Sequence, residues 1–474
     1  MAEPSGFTRS RISTLAVYAA MIAAAVGGFF WIRSAGGTLV APPPSGAVHF
    51  GETAAKGDSH TLLHVLVALL VVILASRALG TVFRFINQPP VIGEVVAGIM
   101  LGPSLLGRMA PDVSAYILPP TVAPYLSVVA QVGVILYMFL VGLHLDTALL
   151  RSKTHSTLAI SHASIVAPFV LGAAAALWIY PQLSSSDVPF SVFAMFMGVS
   201  LSVTAFPVLA RILTDRNMHK SKLGVIAISC AAVDDVTAWC LLALMVSVAQ
   251  ARLGGAVFTV ALTLVYIAFM FGVARPIVHR ICQRQEVRGE VSKAAIVAAF
   301  VGLLGSALLA EFIGVHALFG AFMLGAVIPH DSLFAKELLR RLEDIVVILL
   351  LPAFFAFTGM RTQIGLVSGL GNWLICAAII LVACAGKFGG STLAARLSGL
   401  GWRDSACLGV LMNTRGLMEL IVLNIGLDLK VISPTLFTMM VIMAVVTTLA
   451  TSPILHRLMR GTSLAEPELS TARS

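Results

Sequence analysis

Two adjacent carboxylates, Asp234 and Asp235, lie inside an apolar run that extends from Leu223 to Ala249. The run is long enough to cross a bilayer, and a charge near the centre of a membrane helix costs at least about 2.5–3.5 kcal/mol. We therefore expect these acids to face a polar cavity and to bind a positive species. Adjacent residues on a helix point about 100° apart, so one acid can face a partner while the other faces the cavity.

Five further ionisable residues within predicted apolar spans are informative: Glu94, Glu311, Lys387, Arg415 and Glu419. Charges at membrane depth pair with one another or line a polar cavity. Acids outnumber bases in this set, which is what a cation site requires. We expect Glu94 and Arg415 to form a structural ion pair, with Glu419 as a weaker candidate partner of Arg415. His316 lies near the end of a span, and we interpret it as a packing histidine.

The composition predicts an all-α polytopic membrane protein. Of 474 residues, 58% are hydrophobic and 11% are charged, whereas a soluble domain has roughly 25% charged residues. The six cysteines show no CxxC spacing and lie mostly in apolar runs. We interpret them as small core residues and not as metal ligands or disulfides, and we expect no cofactor.

Fourteen apolar runs are candidate membrane spans. They lie at 14–33, 61–83, 90–107, 124–144, 156–180, 189–213, 222–250, 254–279, 293–312, 314–329, 343–360, 372–397, 404–426 and 433–456. The first has basic residues ahead of it, and we favour an extra uncleaved helix over a signal peptide. The predicted domains are this helix with an exterior loop (1–60), a membrane domain of about 13 core spans (61–458) and a short cytoplasmic tail (459–474).

The basic residues of the loops predict the orientation of the chain. With the N-terminus in the cytoplasm and sides alternating at each span, 23 Lys and Arg residues are cytoplasmic and six are exterior. This bias follows the positive-inside rule and places both termini in the cytoplasm. The formal charge of +9 is therefore a topology signal and not a sign of nucleic-acid binding. The chain shows no GxxxxGK[ST] phosphate loop and no room for a nucleotide domain, so ATP-driven pumping is not expected.

Two spans contain residues that a continuous apolar helix disfavours. Pro207 lies in mid-span, where proline removes an amide donor and clashes with the preceding turn. The second interruption is the polar stretch from Asn413 through Arg415 to Gly416. Non-helical backbone at membrane depth is tolerated only where protein or water satisfies it.

These interruptions occupy related positions in the order of the spans. They fall in the sixth and thirteenth spans, and the charged spans beside them, with the Asp pair and Lys387, are the seventh and twelfth. An odd offset of seven makes spans 10–14 an inverted copy of spans 3–7. Unusual segments at corresponding positions of two inverted halves indicate a transporter site.

Seven stretches carry a resemblance to a known family: PPVIGEVVAGIMLGPSLLG (89–107), LYMFLVGLHLD (136–146), SVTAFPVLARIL (202–213), AAVDDVTAW (231–239), GVHALFGAFMLGAVIP (314–329), AGKFGG (385–390) and NTRGLMELIVLNIG (413–426). The chain resembles the second family of monovalent cation:proton antiporters over residues 62–458, in the same order. That family includes bacterial sodium/proton antiporters, potassium-efflux antiporters and plant cation/proton exchangers.

The resemblance implies an inverted-repeat fold with two crossed broken helices and a separate dimerisation domain, which move relative to each other as an elevator. It implies that Asp235 binds the ion, that Asp234 forms a salt bridge with Lys387 and that Thr204 lines the site. Ala205 follows Thr204 where the sodium antiporters often have serine, which favours the potassium-linked and plant-type branches. The Asp pair with lysine also resembles electrogenic exchangers.

We therefore predict a homodimeric antiporter of the cell membrane that exchanges H⁺ for Na⁺ or K⁺ and is not an enzyme. A sodium-coupled organic anion symporter of related fold remains the alternative, although its anion would require a further cationic residue. A channel is disfavoured because no filter-like repeat occurs. An intramembrane enzyme would need a nucleophile and a base in register, and a second acidic segment for an aspartyl protease is not found.

Overall fold

The computed structural model describes residues 61–86, 88–144, 155–185, 188–215, 218, 221–250 and 255–459. Throughout these residues the regular secondary structure is helical. The predicted helix at 14–33, the exterior loop after it and the tail from residue 460 lie outside the described residues.

The main helices follow one another with short connections. They are α1 (Thr61–Phe85), α2 (Pro90–Leu101), α3 (Ala123–His144), α4 (His155–Leu183), α5 (Phe190–Ser202), α6 (Phe206–Asp215), α7 (Lys222–Gln250), α8 (Gly255–Phe269), α9 (Arg275–Arg288), α10 (Lys293–Ile313), α11 (Ala317–Val327), α12 (Leu333–Ile345), α13 (Leu351–Arg361), α14 (Gly369–Cys384), α15 (Gly390–Leu397), α16 (Trp402–Met412), α17 (Leu417–Asp428) and α18 (Pro434–Met459). Single π-helical turns join α8 to α9, α12 to α13 and α14 to α15. Short helices at Leu106–Met109 and Pro111–Ile117 lie between α2 and α3.

All thirteen predicted core spans coincide with helices of the described chain. Among the described residues, ten helical segments are long and apolar enough to cross a membrane when helices joined by a π-helical or other short turn count as one, and the bent pair α16–α17 makes eleven. The two other predicted spans correspond to α5 with α6, which is broken, and to the short apolar helix α11. Helices dominate because a bilayer offers no water to backbone N–H and C=O groups, which must then be satisfied within each segment.

The packing of the helices shows the inverted repeat. Under the offset of seven, α2 corresponds to α11 and α3 corresponds to α13. The contact of α2 with α13 then has its image in the contact of α11 with α3, and both contacts are present. The pairs α1–α2 and α10–α11, α4–α5 and α15–α16, and α4–α7 and α14–α18 match in the same way. The predicted inverted-repeat fold is thus confirmed, and its equivalence reaches α1 and α10.

Glycines allow the closest of these crossings. A Cβ atom added to Gly98 of α2 would lie 2.6 Å from the Cα of Ala356 on α13. A Cβ atom added to Gly325 of α11 would lie 2.9 Å from the Cα of Gly142 on α3. Membrane helices associate through small residues because lipid supplies no hydrophobic force between them.

The contacts divide the helices other than α8 and α9 into two groups. Bundle A contains α4–α7 and α14–α18, and bundle B contains α1–α3 and α10–α13. Few contacts join the groups; among them are those of α17 with α13 and of α18 with α2. Every ionised side chain of the candidate site described next belongs to bundle A.

Candidate functional site

The two broken spans of bundle A meet at their breaks. α5 ends at Ser202 and α6 begins at Phe206, while α16 and α17 are separated by residues 413–416 and bend by 44°. The backbone N–H of Ala205 donates to the carbonyl oxygen of Thr414 at 3.1 Å. The break precedes Pro207, which is the second residue of α6, where its missing N–H would have no helical acceptor.

Gly416 permits this close approach. A Cβ atom on Gly416 would lie 2.7 Å from Cγ2 of Val208 on α6. Asn413, on the other side of the break, is buried and donates from Nδ2 to Sγ of Cys384 at 3.5 Å. Thr448 of α18 fixes the position of the break between α16 and α17. Its Oγ1 accepts a hydrogen bond from the N–H of Arg415 at 3.0 Å and donates one to the carbonyl of Arg415 at 2.7 Å.

Two positively charged side chains bind the carboxyl end of α5. The guanidinium of Arg415 donates to the carbonyls of Ser200 (3.1 Å) and Leu201 (2.8 Å). The ammonium of Lys387 donates to the carbonyl of Ser202 at 2.5 Å. A helix that ends inside the membrane leaves its last carbonyls unpaired and carries a partial negative charge there. The break in α5–α6 thus explains why both cations are tolerated at this depth.

Asp234 is enclosed by hydrogen-bond donors. Ser161 donates to Oδ1 at 2.7 Å, Thr204 donates to Oδ2 at 2.8 Å, and Ser164 also donates to Oδ2. Lys387 Nζ lies 3.1 Å from Oδ2, and both side chains are almost fully buried. Asp234 therefore has its charge paired and both of its oxygens occupied.

Lys387 reaches this position from an irregular part of its helix. It lies in the π-helical turn Ala385–Gly389, and such turns are frequent at functional sites. Its ammonium also donates to the carbonyl of Ser164 at 2.9 Å. With Ser202 and Asp234, the three donors of the ammonium group all have acceptors.

Arg415 forms its ion pair with Glu419 and not with Glu94. Arg415 Nη1 lies 2.8 Å from Oε2 of Glu419 one helical turn away, and both side chains are fully buried. Ser200 Oγ donates to the other oxygen of Glu419 at 2.7 Å. Glu94 lies half-buried on α2, where its Cγ faces Gly80 of α1. The expected Glu94–Arg415 pair is therefore wrong.

Asp235 differs from every other charge of this cluster. Its side chain is 3% exposed, and no donor side chain among the described residues reaches either carboxylate oxygen. The backbone N–H of Phe206, at the start of α6, points toward the carboxylate without completing a hydrogen bond of normal geometry. It lines a cavity of about 10 Å³ whose other side chains are Val203, Ala238, Trp239, Leu242, Met418 and Val422. Helical geometry turns it away from the donors around Asp234, as adjacent helix positions require.

The charges of the cluster leave one negative charge unmatched. In the described part of the chain, Asp234 pairs with Lys387 and Glu419 pairs with Arg415. Ionised Asp235 adds a third carboxylate without a matching cation. One proton or one monovalent cation would make the cluster neutral.

Two larger cavities border the interface of bundles A and B. One of about 420 Å³ extends from Glu343 and His144 to the break at Ala205 and Phe206, and Tyr137 is part of its wall. The other, of about 550 Å³, is lined by Glu311, His316, Arg361, Asn424 and Asp428 together with apolar residues. Arg361 lies on the side that the loop charges predict to be exterior.

The structure brings together most of the predicted site residues and adds four serines. Lys387, Arg415, Glu419 and Thr204 all lie around the break, although the hydroxyl of Thr204 donates to Asp234 and not to Asp235. The contacts of Ser161, Ser164, Ser200 and Ser202 were not anticipated. Their signal in the sequence is the occurrence of hydroxyl residues in otherwise apolar spans, with Ser161 and Ser164 three positions apart and so on one helix face.

Two broken helices that meet within an inverted-repeat bundle, beside a buried carboxylate that no donor side chain of the described residues reaches, define a membrane transporter fold. The profile of the transmembrane sodium/hydrogen exchanger matches residues 60–461, and the chain belongs to this family. The resemblance found in the motifs is thereby confirmed.

Several relatives share this similarity. The Na(+)/H(+) antiporter NhaS4 of Synechocystis is 42% identical, with 85% of this chain and 98% of the relative covered. Cation/H(+) antiporter 20 of Arabidopsis thaliana is 37% identical over 87% of this chain and 50% of its own length. The K(+)/H(+) antiporter 1 of Saccharomyces cerevisiae is 34% identical over 81% of this chain and 45% of its own. The chain thus spans about half the length of the plant and yeast relatives.

A solved structure shares the fold. The sodium proton antiporter MjNhaP1 of Methanocaldococcus jannaschii, determined at pH 8, superposes with a TM-score of 0.57 at 13% identity. The match covers 84% of this chain and 96% of that protein. At this identity the comparison concerns the fold alone.

Proposed function

We propose that this protein is a secondary active antiporter that exchanges protons for a monovalent cation, Na⁺ or K⁺, by alternating access. Asp235 binds the proton and the cation competitively. The observation that carries the proposal is the state of Asp235: a buried carboxylate that no donor side chain of the described structure reaches, next to two complete ion pairs.

Competition at one carboxylate is sufficient for obligatory exchange. A proton or a cation neutralises Asp235, and the two cannot occupy it together. An empty site would carry an unpaired buried charge through the apolar interface between the bundles, at a high cost in free energy. The site therefore crosses only when it is loaded, and each cation moved in one direction requires a proton in the other.

The names of the relatives include both sodium and potassium as the exchanged cation. They are called Na(+)/H(+), K(+)/H(+) and cation/H(+) antiporters. NhaS4, which is matched over nearly its whole length, is named for sodium, whereas Ala205 after Thr204 favours the potassium-linked branches. We therefore propose a monovalent cation and leave the choice between the two ions to measurement.

Access to Asp235 alternates, in this proposal, through movement of bundle A against bundle B. The cavity of about 420 Å³ reaches the break from the side of Glu343, and the cavity of about 550 Å³ lies along α17 on the side of Arg361. Because the charge cluster belongs to bundle A, it can move as one body with its internal hydrogen bonds intact. Residues 61–458 form the exchange domain.

The remaining features follow from the loop charges and from the family resemblance. We place the protein in the cell membrane with both termini in the cytoplasm, because that orientation puts most Lys and Arg residues inside. Bundle B provides the contact for a homodimer, since it is the part that stays fixed in an elevator movement. A sodium-coupled organic anion symporter would need a cation available to the anion, and both Lys387 and Arg415 already have carboxylate partners.

The test is exchange by purified protein in liposomes. A pH gradient is imposed, a pH-sensitive dye reports it, and Na⁺ and then K⁺ is added outside. We expect at least one of the two cations to collapse the gradient in the intact protein and neither to do so in Asp235→Asn. Asp112→Asn, which removes an exposed acid from the short helix Pro111–Ile117 between α2 and α3, serves as the matched control and should retain activity.

The opposite results would overturn the proposal. Inserted, folded protein that responds to neither cation would exclude cation/proton exchange. Undiminished exchange in Asp235→Asn would exclude Asp235 as the site.

A further inference from the structure

Trp239 presents a second unpaired polar group beside Asp235. It follows Asp235 by four residues on α7 and so lies on the same helix face, one turn further along. Its side chain is 4% exposed, and its indole Nε1 has no hydrogen-bond partner among the described residues. A buried tryptophan N–H usually has a partner. The arrangement therefore requires an explanation.

Both residues line the same small cavity. Its volume is about 10 Å³, and every other side chain in its wall is apolar. A cavity needs at least about 10–15 Å³ of such volume to admit one water molecule, so this one is at the lower limit for a single water. The cavity thus brings an indole donor and a carboxylate acceptor to a space that fits a single water.

We propose that Trp239 is a positioning residue of the ion site, which holds one water between its indole N–H and the carboxylate of Asp235. This inference rests on the proposed function of Asp235. The water accepts a hydrogen bond from the indole and donates one to the carboxylate. It therefore favours the ionised carboxylate, which is the form that binds a cation.

The same water also serves the bound cation. A water oxygen has two lone pairs, of which the indole N–H takes one. The second can coordinate the cation while a hydrogen remains on the carboxylate. The cation bound at Asp235 thus receives an oxygen ligand from the water, where the neighbouring side chains offer none. Trp239 therefore shifts the competition at Asp235 away from the proton.

The position of the indole depends on bundle B. Its ring stacks on Phe322 of α11, with centroids 6.3 Å apart and planes inclined by 24°. Because α11 belongs to bundle B, this stack joins the ion site of bundle A to the bundle against which it moves. A phenylalanine at position 239 keeps a ring for this contact and removes only the N–H donor.

The test compares Trp239→Phe with intact protein in liposomes over a range of pH and cation concentration. Loss of one water-mediated hydrogen bond predicts that the pH of half-maximal exchange rises by about 0.5–1 unit. The apparent KM for the cation at a fixed pH rises several-fold for the same reason. Trp178→Phe, a change at a half-exposed tryptophan on α4, should alter neither quantity.

A second measurement observes the indole directly. Trp239 is retained as the one tryptophan by replacing the others with phenylalanine; they are Trp31, Trp178, Trp373 and Trp402. Its emission should change when Na⁺ or K⁺ binds, and Asp235→Asn in the same background should abolish the change.

The inference and the proposed function fail in different ways. Folded Trp239→Phe protein with an unchanged pH profile and KM would show that the ring only packs, even while intact protein exchanges normally. Intact protein that exchanges neither cation would instead overturn the proposed function. Emission that ignores a cation shown by radiotracer to bind would also overturn the role of Trp239.

Discussion

The backbone N–H of Ala205 donates to the carbonyl of Thr414, so a backbone hydrogen bond of 3.1 Å joins the breaks of two inverted half-repeats. One break leaves backbone carbonyls unpaired, and the other contains the arginine that donates to them. The break after α5 leaves carbonyls that accept from Arg415, which itself lies in the break before α17. The charges of the site are therefore tolerated because the two breaks are in contact, and a change that separates the breaks should disturb the whole cluster.

Gly416→Ala tests this dependence. The new Cβ would lie 2.7 Å from Cγ2 of Val208 and would push the breaks apart. Overpacking of this kind costs about 1–3 kcal/mol, so we expect a lower midpoint of thermal unfolding in detergent and slower exchange.

A second substitution removes the clash. Val208→Ala deletes the methyl group in question, so Gly416→Ala combined with Val208→Ala should be more stable than the sum of the single effects predicts. Gly371→Ala is the matched control, because a Cβ there meets nothing within 4 Å. Strictly additive effects of the two substitutions would contradict the close contact.

The spans could be predicted from the sequence because the bilayer imposes a length and an apolar composition on each of them. All thirteen core spans were found in this way, including the broken sixth span and the short tenth span, which corresponds to α11. The inverted relation followed from the order of the unusual segments. The extension of the repeat to α1 and α10 did not follow, because Glu311 of α10 has no acidic counterpart in α1.

Partners of side chains were less predictable, since they depend on how each helix is rotated about its axis. Arg415 and Glu419 are four residues apart, a spacing at which helix side chains meet, yet the distant Glu94 was preferred as partner. The serines around Asp234 were missed because serine in a membrane helix often bonds its own backbone. Only the packing of α4 against α7 shows that Ser161 and Ser164 point at Asp234.

Because Asp234 and Lys387 form a buried ion pair, we expect their contributions to the free energy of unfolding to be strongly coupled. Removal of one partner from a buried ion pair leaves an uncompensated charge and costs about 3–5 kcal/mol. We expect Lys387→Met and Asp234→Asn each to lower the unfolding midpoint markedly, and the double variant to lose much less than the sum.

The exposed pair of Glu337 and Arg341 on α12 provides the comparison for this double-mutant cycle. Exposed pairs contribute about 0–1 kcal/mol, so removal of either partner should change the midpoint little. Additive losses at Asp234 and Lys387 would show that the two charges do not stabilise each other.

The substitution Arg415→Lys distinguishes the observed Arg415–Glu419 pair from the Glu94–Arg415 pair expected from the sequence. Arginine forms a planar fork that reaches the carbonyls of Ser200 and Leu201 together with Glu419, whereas lysine offers a single charged nitrogen. Hydrogen bonds to charged groups contribute about 1.5–3 kcal/mol, and we expect a loss of that order.

A comparison of two double variants identifies the partner. Arg415→Lys should be non-additive in stability with Glu419→Gln and additive with Glu94→Gln. The reverse result would restore Glu94 as the partner of Arg415.

Arg361 links the two bundles on the predicted exterior side. From α13 of bundle B it donates to Asp428 at 2.5 Å and to Oδ1 of Asn424 at 2.9 Å, both on α17 of bundle A. Asn424 in turn donates to Thr358 of α13 at 2.8 Å. If bundle A moves against bundle B, this link must open in each cycle.

Arg361→Gln should therefore affect motion more than stability. The side chains of Arg361 and Asp428 are partly exposed, at 25% and 53%, and such a pair contributes about 0–1 kcal/mol. We expect the unfolding midpoint to change little, while amide hydrogen exchange at the end of α17 increases and the turnover of cation exchange changes several-fold. Glu337→Gln breaks ion pairs within a single helix and should leave α17 unaffected. Unchanged hydrogen exchange in Arg361→Gln would mean that the link does not restrain the bundles, because a contact that holds two moving parts together cannot be removed without freeing one of them.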